Sequence, residues 1–230
     1  MRRLPRRRHD GKQGRSDDLR LQEMSEGIPA ATPMQFVPTL PPEEVARANF
    51  YGLLARLFYA PPDAALLEAL AGAGDLDAEE GEIASAWESL TAAAAGADPE
   101  AIRDEYDTVF VGTGKAPVTL YVCAYSIKYA SEVPLVALKA DLAALGLARR
   151  ADRGEPEDHV AALCDVMRYL ITEGNAELVT QKRFFERWIW PNVEPLCVAI
   201  EKTEGARFYR SVAAFLYALC TVEHKSFEML

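Results

Sequence analysis

Hydrophobic residues recur three and four positions apart over most of the chain after residue 40, which is the spacing of amphipathic α-helices. The first such segment is LPPEEVARANFYGLLARLFYAPP at residues 40–62. Proline followed by two glutamates suits a helix N-terminus, and Pro61 and Pro62 stop the helix. Its apolar stripe consists of Phe50, Leu53, Leu54, Leu57 and Phe58.

Eight further segments repeat this pattern, and proline, glycine or an N-capping aspartate such as Asp98 bounds most of them. They are residues 63–72, 79–90, 98–110, 131–146, 155–174, 176–190, 191–203 and 206–227. We expect Pro191 and Gly205 to separate the last three. In residues 155–174 the pattern predicts these inward-facing residues: Val160, Leu163, Cys164, Met167, Leu170 and Ile171. Alternating patterns typical of strands are nearly absent. The sequence therefore predicts an all-α chain with a single globular domain of about nine helices over residues 39–230.

The segment GEPEDHVAAL, at residues 154–163, places three carboxylates and one of the three histidines around Pro156. A helix start explains much of it, since proline prefers the first helical position and Glu157 and Asp158 would interact favourably with the helix dipole. His159 gains nothing from that dipole. A hydrogen bond back to Glu155, or to a partner, would account for it.

The net charge of −10 is unevenly distributed, because residues 1–20 hold eight Lys/Arg and three Asp, leaving −15 on the remaining 210 residues. An acidic body disfavours nucleic acid and favours basic partners. The arginine-rich start lacks the apolar region of an export signal, and no segment is long and apolar enough for stable membrane insertion. We expect residues 1–38 to be a disordered basic arm or an over-extended start, with translation beginning at Met24 or Met34; a basic docking tail is the third alternative.

Motifs for catalysis are weak. The sequence VGTGKAP fails as a phosphate-binding loop, because Val109 and Ala116 stand where glycine and Ser/Thr are needed. No ExxH, HExxH or GxSxG occurs, and the four cysteines form no CxxC, which favours reduced thiols. We expect no metal site and no enzyme. The alternative is a nucleotide- or metal-dependent helical enzyme that uses the loop at residues 112–121 and His159.

Six pieces in a fixed order resemble the TorD/DmsD family of redox-enzyme maturation chaperones, which is related to the NarJ proteins. The pieces are FYGLLARLFYAPP, EYDTVFVGTGKAPVTLY, PLVALKADLAALGL, EPEDHVAALCDVMRYLI, QKRFFERWIWP and FYRSVAAFLYAL. The family motif E-P-x-D-H matches Glu155, Pro156, Asp158 and His159, with Glu157 at the variable position. The resemblance runs from about residue 46 to residue 227.

The resemblance implies a TorD-like helical bundle and a cytoplasmic chaperone without enzymatic activity. Such chaperones bind the twin-arginine signal peptide and the apo catalytic subunit of a molybdenum-cofactor oxidoreductase, here of the formate dehydrogenase or dimethylsulfoxide reductase type. They assist cofactor insertion and delay export. No cofactor is required, although some members contact guanine nucleotides or the molybdopterin cofactor. A monomer and a homodimer both fit the resemblance.

It also implies that the motif and the loop at residues 112–121 line the functional face. In our hypothesis the motif carboxylates pair with the arginines of the peptide, and Tyr106 and Tyr121 contact its apolar stretch. His159 would donate a hydrogen bond that fixes the loop. The expected client-binding residues are Glu155, Pro156, Asp158, His159, Tyr106, Gly112, Gly114, Lys115, Pro117, Leu120 and Tyr121.

Overall fold

The computed structural model of the chain describes residues 40–76, 81–112, 114–126, 133–149, 154–174 and 176–230. The expectations for residues 1–38 lie outside these ranges. Among the described residues there is no β-strand, and the predicted all-α class is confirmed. The helices are α1 (Pro42–Tyr59), α2 (Ala64–Ala71), α3 (Glu82–Ala94), α4 (Pro99–Tyr106), α5 (Cys123–Ser126), α6 (Pro134–Ala144), α7 (Val160–Ile171), α8 (Leu178–Phe184), α9 (Trp190–Lys202) and α10 (Phe208–Glu228).

Two π-helical turns extend these elements. One, at Asp107–Val111, prolongs α4, and the other, at Phe185–Ile189, joins α8 to α9. If each π-helical turn is counted together with the helices that it continues, the described part of the chain has nine helices, the predicted number. The nine helices are not the nine that were predicted. The short α5 lies in a segment that was expected to be irregular, and α8 continues through the π-helical turn into α9.

The predicted helix break at Pro191 is therefore wrong. The π-helical turn closes with a hydrogen bond from the Trp190 N–H to the Phe185 carbonyl, just before the proline. The side-chain amide of Asn192 then donates to the Trp188 carbonyl at 2.9 Å. These bonds serve the helix where proline has no N–H to donate, so the chain continues without a break.

The centre of the fold is the pair α1 and α7, while α10 packs against α3 and α9. Ala161 of α7 is buried, and so are all the side chains that the hydrophobic pattern predicted to face inward: Val160, Leu163, Cys164, Met167, Leu170 and Ile171. An aromatic cluster closes one part of the core, with ring centroids 4.9 to 6.4 Å apart among Phe58, Tyr106, Phe110 and Tyr209. Such tilted and edge-on contacts stabilise a core beyond simple burial.

Side-chain caps begin several helices. Asp63 accepts from the Leu66 N–H at the start of α2, and Asp98 caps α4 as predicted. The predicted start of the motif helix is wrong, because α7 begins at Val160 with His159 as its N-cap. Pro156 and the two acids that follow it precede the helix.

Within the described ranges, no helix combines the length and the apolar character that crossing a membrane requires.

Candidate binding groove at the Glu155–His159 motif

The loop and the motif meet through their backbones. The Val122 N–H donates to the Asp158 carbonyl at 2.9 Å, and the Val160 N–H donates to the Leu120 carbonyl at 2.8 Å. These two bonds form an isolated antiparallel bridge between Tyr121 and His159. The structure thus brings together the two sequence segments that were expected to form one face.

The role expected for the His159 side chain is corrected. Its Nδ1 accepts from the Ala161 N–H at 3.2 Å and caps α7, so the imidazole does not fix the loop by donating through this atom. We assign the proton to Nε2 accordingly. His159 is 6 % exposed, and burial lowers its pKa below the ordinary 6.5, opposed by the charges of Glu155 and Asp158. The hydrogen bond expected between His159 and Glu155 is replaced by one from Tyr121.

The Tyr121 hydroxyl donates to the carboxylate of Glu155. This hydrogen bond, together with partial burial, raises the pKa of Tyr121 to about 12. The Tyr121 ring also meets the His159 ring edge-on, with centroids 5.5 Å apart. Tyr121 therefore holds an exposed carboxylate in place, and its own ring is 37 % exposed beside it.

The loop owes its shape to glycine. Gly112 has φ 65° and ψ 164°, a backbone conformation that residues other than glycine rarely adopt. A Cβ added there would lie 3.0 Å from the Ala116 Cα. Gly114 is also in the positive-φ region, at 117°. Beyond them the loop is anchored by the buried side chains of Val118 and Leu120, whereas Lys115 and Pro117 are exposed.

Four of the expected binding residues are buried, namely Leu120, His159, Tyr106 and Asp158. The Tyr106 hydroxyl donates to the carbonyls of Phe58 and Tyr59 at 3.1 and 3.2 Å, and the side chain is 9 % exposed. Burial, followed by the charge of Glu155, raises the pKa of Tyr106 to about 12. Tyr106 thus joins α4 to the end of α1 in the core and does not line the groove.

Asp158 is only 6 % exposed and lies beside the thiol of Cys123. Burial and the neighbouring carboxylate of Asp158 raise the pKa of Cys123 to about 12. An external guanidinium would have to displace this packing to reach Asp158. Of the three motif carboxylates, Glu155 and Glu157 are the ones that face the adjoining groove.

That groove has a volume of about 550 Å³ and lies between α1, the C-terminal end of α6, the motif and α7. Its small and apolar lining residues are Gly52, Ala55, Leu142, Leu147, Ala148, Ala161, Ala162 and Val166. Its charged lining residues are Arg56, Arg149, Arg168, Glu155, Glu157 and Asp165. Sequence reasoning missed the walls from α1 and α6, because no local pattern tells which helices will face the motif.

Ion pairs hold most of these charges. Arg168 contacts Asp165 at 2.8 Å, and Arg56 contacts Asp63 at 3.1 Å. Glu157 is approached by Lys139 at 3.5 Å and by Arg149 at 3.8 Å. Glu155 differs from these acids, because the hydrogen bond that positions it comes from a neutral hydroxyl. Its negative charge is therefore available to a cationic partner.

In the described parts of the chain no three His, Cys, Asp or Glu side chains group together in a way that could hold a metal ion. The four cysteines are free thiols, and Cys123, Cys164 and Cys220 are buried. Burial raises the pKa of Cys164 to about 12, as expected for a thiol that acts as a small hydrophobic residue.

Comparison with protein-family models identifies the chain's family. The model described as nitrate reductase delta subunit matches residues 75–197, which is more than half of the 230 residues. The chain belongs to this family, a family of chaperones for the maturation of molybdenum enzymes. The resemblance drawn from the motif pieces is thereby confirmed. No curated protein matches the chain. The matched region includes the loop, the motif, α6 and α7, whereas the α1 wall of the groove precedes it.

Proposed function

We propose that this protein is a cytoplasmic, non-catalytic chaperone that binds the twin-arginine signal peptide and the apo catalytic subunit of a molybdenum-cofactor oxidoreductase. The client is of the formate dehydrogenase or dimethylsulfoxide reductase type. Binding keeps the client from export until its cofactor is inserted. The single observation that carries the proposal is a groove whose lining combines small and apolar residues with the carboxylates of Glu155 and Glu157.

The chemistry of such a signal matches this arrangement. It presents paired guanidinium groups and then an apolar stretch, which a groove between helices accommodates as a helix or an extended segment. Glu155, held by Tyr121, offers a carboxylate to the first guanidinium. The −15 charge borne by residues 21–230 attracts the cationic end during encounter.

The other motif and loop residues support this surface in the proposal. Gly112, Gly114 and Pro117 shape the loop, and Leu120 joins it to the start of α7 through the backbone bridge. Pro156 lines the groove between the two acids. Asp158 and Tyr106 are buried, and Lys115 marks the exposed edge of the loop.

The proposal requires no bound cofactor, because holding a client needs only its recognition. It also involves no nucleic acid and no insertion into the bilayer. A contact with guanine nucleotide or with molybdopterin would be an additional property, tested by equilibrium dialysis with each compound. A monomer and a homodimer would both present the groove.

The test uses the full chain and a fluorescently labelled peptide with two adjacent arginines followed by an apolar stretch. Fluorescence anisotropy at low salt should show binding that weakens as salt is added. Changing both arginines to alanine should abolish most of it. Glu155→Gln should weaken binding about tenfold, consistent with the loss of one charged hydrogen-bonded pair.

Glu68→Gln provides the matched control, because Glu68 is an exposed carboxylate on α2 that does not line the groove. It should change the affinity by less than about twofold, the size expected for a distant charge. Equal affinity for the arginine and alanine peptides would overturn the proposal.

A further inference from the structure

Resting on the proposed function, we infer that Glu157 is a second guanidinium-binding position in the groove. In the free protein it pairs with Arg149 of the same chain, and an arginine of the client peptide displaces Arg149 on binding. Glu157 lies between Pro156 and Asp158 in the motif.

The three side chains involved differ in exposure. The side chain of Glu157 is 14 % exposed, whereas those of Lys139 and Arg149 are 52 % and 42 % exposed. The carboxylate is thus held in the groove wall, while both cations are about half exposed, and the hydrogen bond that Arg149 donates to the Gly154 carbonyl at 3.3 Å is itself exposed to water. The anion is the fixed member of the cluster, and the cations are the exchangeable members.

The geometry of the cluster points to a guanidinium as the replacement. Lys139 approaches Oε2 of Glu157 at 3.5 Å, and Arg149 approaches Oε1 at 3.8 Å. Each carboxylate oxygen is therefore served by a different and rather distant cation. A single guanidinium binds both oxygens of a carboxylate at shorter range through its two parallel N–H groups.

The spacing of the two acids adds to this. Glu155 and Glu157 both line the groove, with Pro156 between them. One carboxylate is held by a neutral hydroxyl and the other by displaceable cations. Two neighbouring carboxylates suit a partner that carries two neighbouring arginines. Arg149 competes with the client peptide for Glu157 and therefore lowers the observed affinity of the peptide.

Competition makes a counterintuitive prediction about affinity. Arg149→Ala removes a side chain that lines the groove, yet it should tighten binding of the two-arginine peptide about threefold to fivefold, the equivalent of one exposed ion pair. Arg210→Ala removes the same charge from α10, outside the groove. It should tighten binding by less than about twofold through net charge alone.

A thermodynamic cycle isolates the pair. In a Glu157→Gln background, Arg149→Ala should leave the affinity within about twofold of that background, because the Glu157 carboxylate for which Arg149 and the peptide compete is then gone. A peptide with one arginine replaced by alanine should gain less from Arg149→Ala than the two-arginine peptide. Circular dichroism and thermal unfolding verify that each variant is folded.

The outcomes separate the inference from the proposed function. The competition is supported if Arg149→Ala binds the peptide more tightly than Arg210→Ala does and if this difference disappears in the Glu157→Gln background. It is also supported if Arg149→Ala is the only variant that binds. Binding by the wild type with no difference between the two arginine variants overturns the inference and leaves the proposed function in place. No binding by any variant overturns both.

Discussion

Two carboxylates in this fold, Glu223 and Glu157, each contact basic side chains from other parts of the chain, yet their surroundings are opposite. Glu223 on α10 accepts from Arg47 Nε and Nη2 at 2.6 and 2.7 Å and from the Tyr51 hydroxyl at 3.1 Å. Its side chain is 4 % exposed. Arg47 also reaches Gln181 at 3.1 Å, so one cluster connects α1, α8 and α10.

Glu157 has longer ion pairs, at 3.5 and 3.8 Å, with cations that are about half exposed. The same charges therefore serve different ends. In the buried cluster the cation cannot leave without an uncompensated charge remaining in the core. At the groove the cation can leave for water, which is what exchange with a partner requires.

The largest expected effect breaks the buried cluster. Glu223→Ala should lower the free energy of unfolding by about 3 kcal/mol, because Arg47 loses its most buried acidic partner and keeps Glu44, while the buried Tyr51 hydroxyl loses its acceptor. Glu157→Ala should cost less than about 1 kcal/mol. Urea denaturation followed by circular dichroism measures both.

A paired replacement sharpens this contrast. Arg47→Met combined with Glu223→Leu removes both charges and should recover most of the loss, as apolar replacements of buried ion pairs do. A similar cost for Glu157→Ala and Glu223→Ala would contradict the distinction between a closed and an exchangeable cluster.

The next effect concerns the loop beside the groove. Gly112→Ala should cost about 2 kcal/mol, because the backbone conformation of Gly112 is nearly restricted to glycine and the added Cβ meets the backbone of Ala116. Gly154→Ala, at the start of the motif, has no atom within 4 Å of the added Cβ and should change stability by less than about 0.5 kcal/mol. Thermal unfolding compares the two. Equal costs would show that the loop conformation is not set by Gly112.

A smaller effect tests the cap of α7. His159→Ala should cost about 1 kcal/mol, because the Ala161 N–H loses its side-chain acceptor. His159→Asn retains an acceptor at the cap and should restore most of that stability. If the alanine variant lost peptide affinity while unfolding at the wild-type urea concentration, His159 would act as a contact residue and not as a cap.

The smallest effect is the pH dependence of the same residue. Burial lowers the pKa of His159 in the folded state below its ordinary 6.5, so the folded protein binds this proton less readily than the unfolded chain. Its contribution to stability is full above about pH 6.5 and declines as the pH falls through that value. The free energy of unfolding should therefore fall as the pH is lowered from about pH 7.5 to about pH 5.5. Much of this slope should vanish in His159→Asn; an unchanged slope would assign it to other groups.

The hydrophobic pattern predicted the helices well and the connections between them poorly. Each inward residue predicted for α7 is buried, since that pattern reflects neighbours three and four positions apart. Pro191 misled because the π-helical turn before it and the amide of Asn192 supply hydrogen bonds at the joint. Neither feature has a local sequence pattern as plain as proline itself.

The candidate site was predicted in outline. The loop at residues 112–121 and the motif do meet, and Tyr121 and Glu155 form a direct contact. Tyr106 and Asp158 were expected at the surface and are buried. Residue type alone could not separate these cases, because tyrosine and aspartate occupy either environment when their polar atoms find partners.

The amino-acid sequence by itself determined the helical class and the family, because helical periodicity and short motifs are local properties of the chain. Only the tertiary structure decided which motif groups face the groove. Residues 158 and 160 form backbone hydrogen bonds with residues 120 and 122, and the helix begins at Val160 and not at the predicted Pro156. Asp158 lies buried beside Cys123. Glu155 and Glu157 line the groove between α1, α6 and α7. Burial depends on contacts between segments far apart in sequence, and no local pattern encodes them.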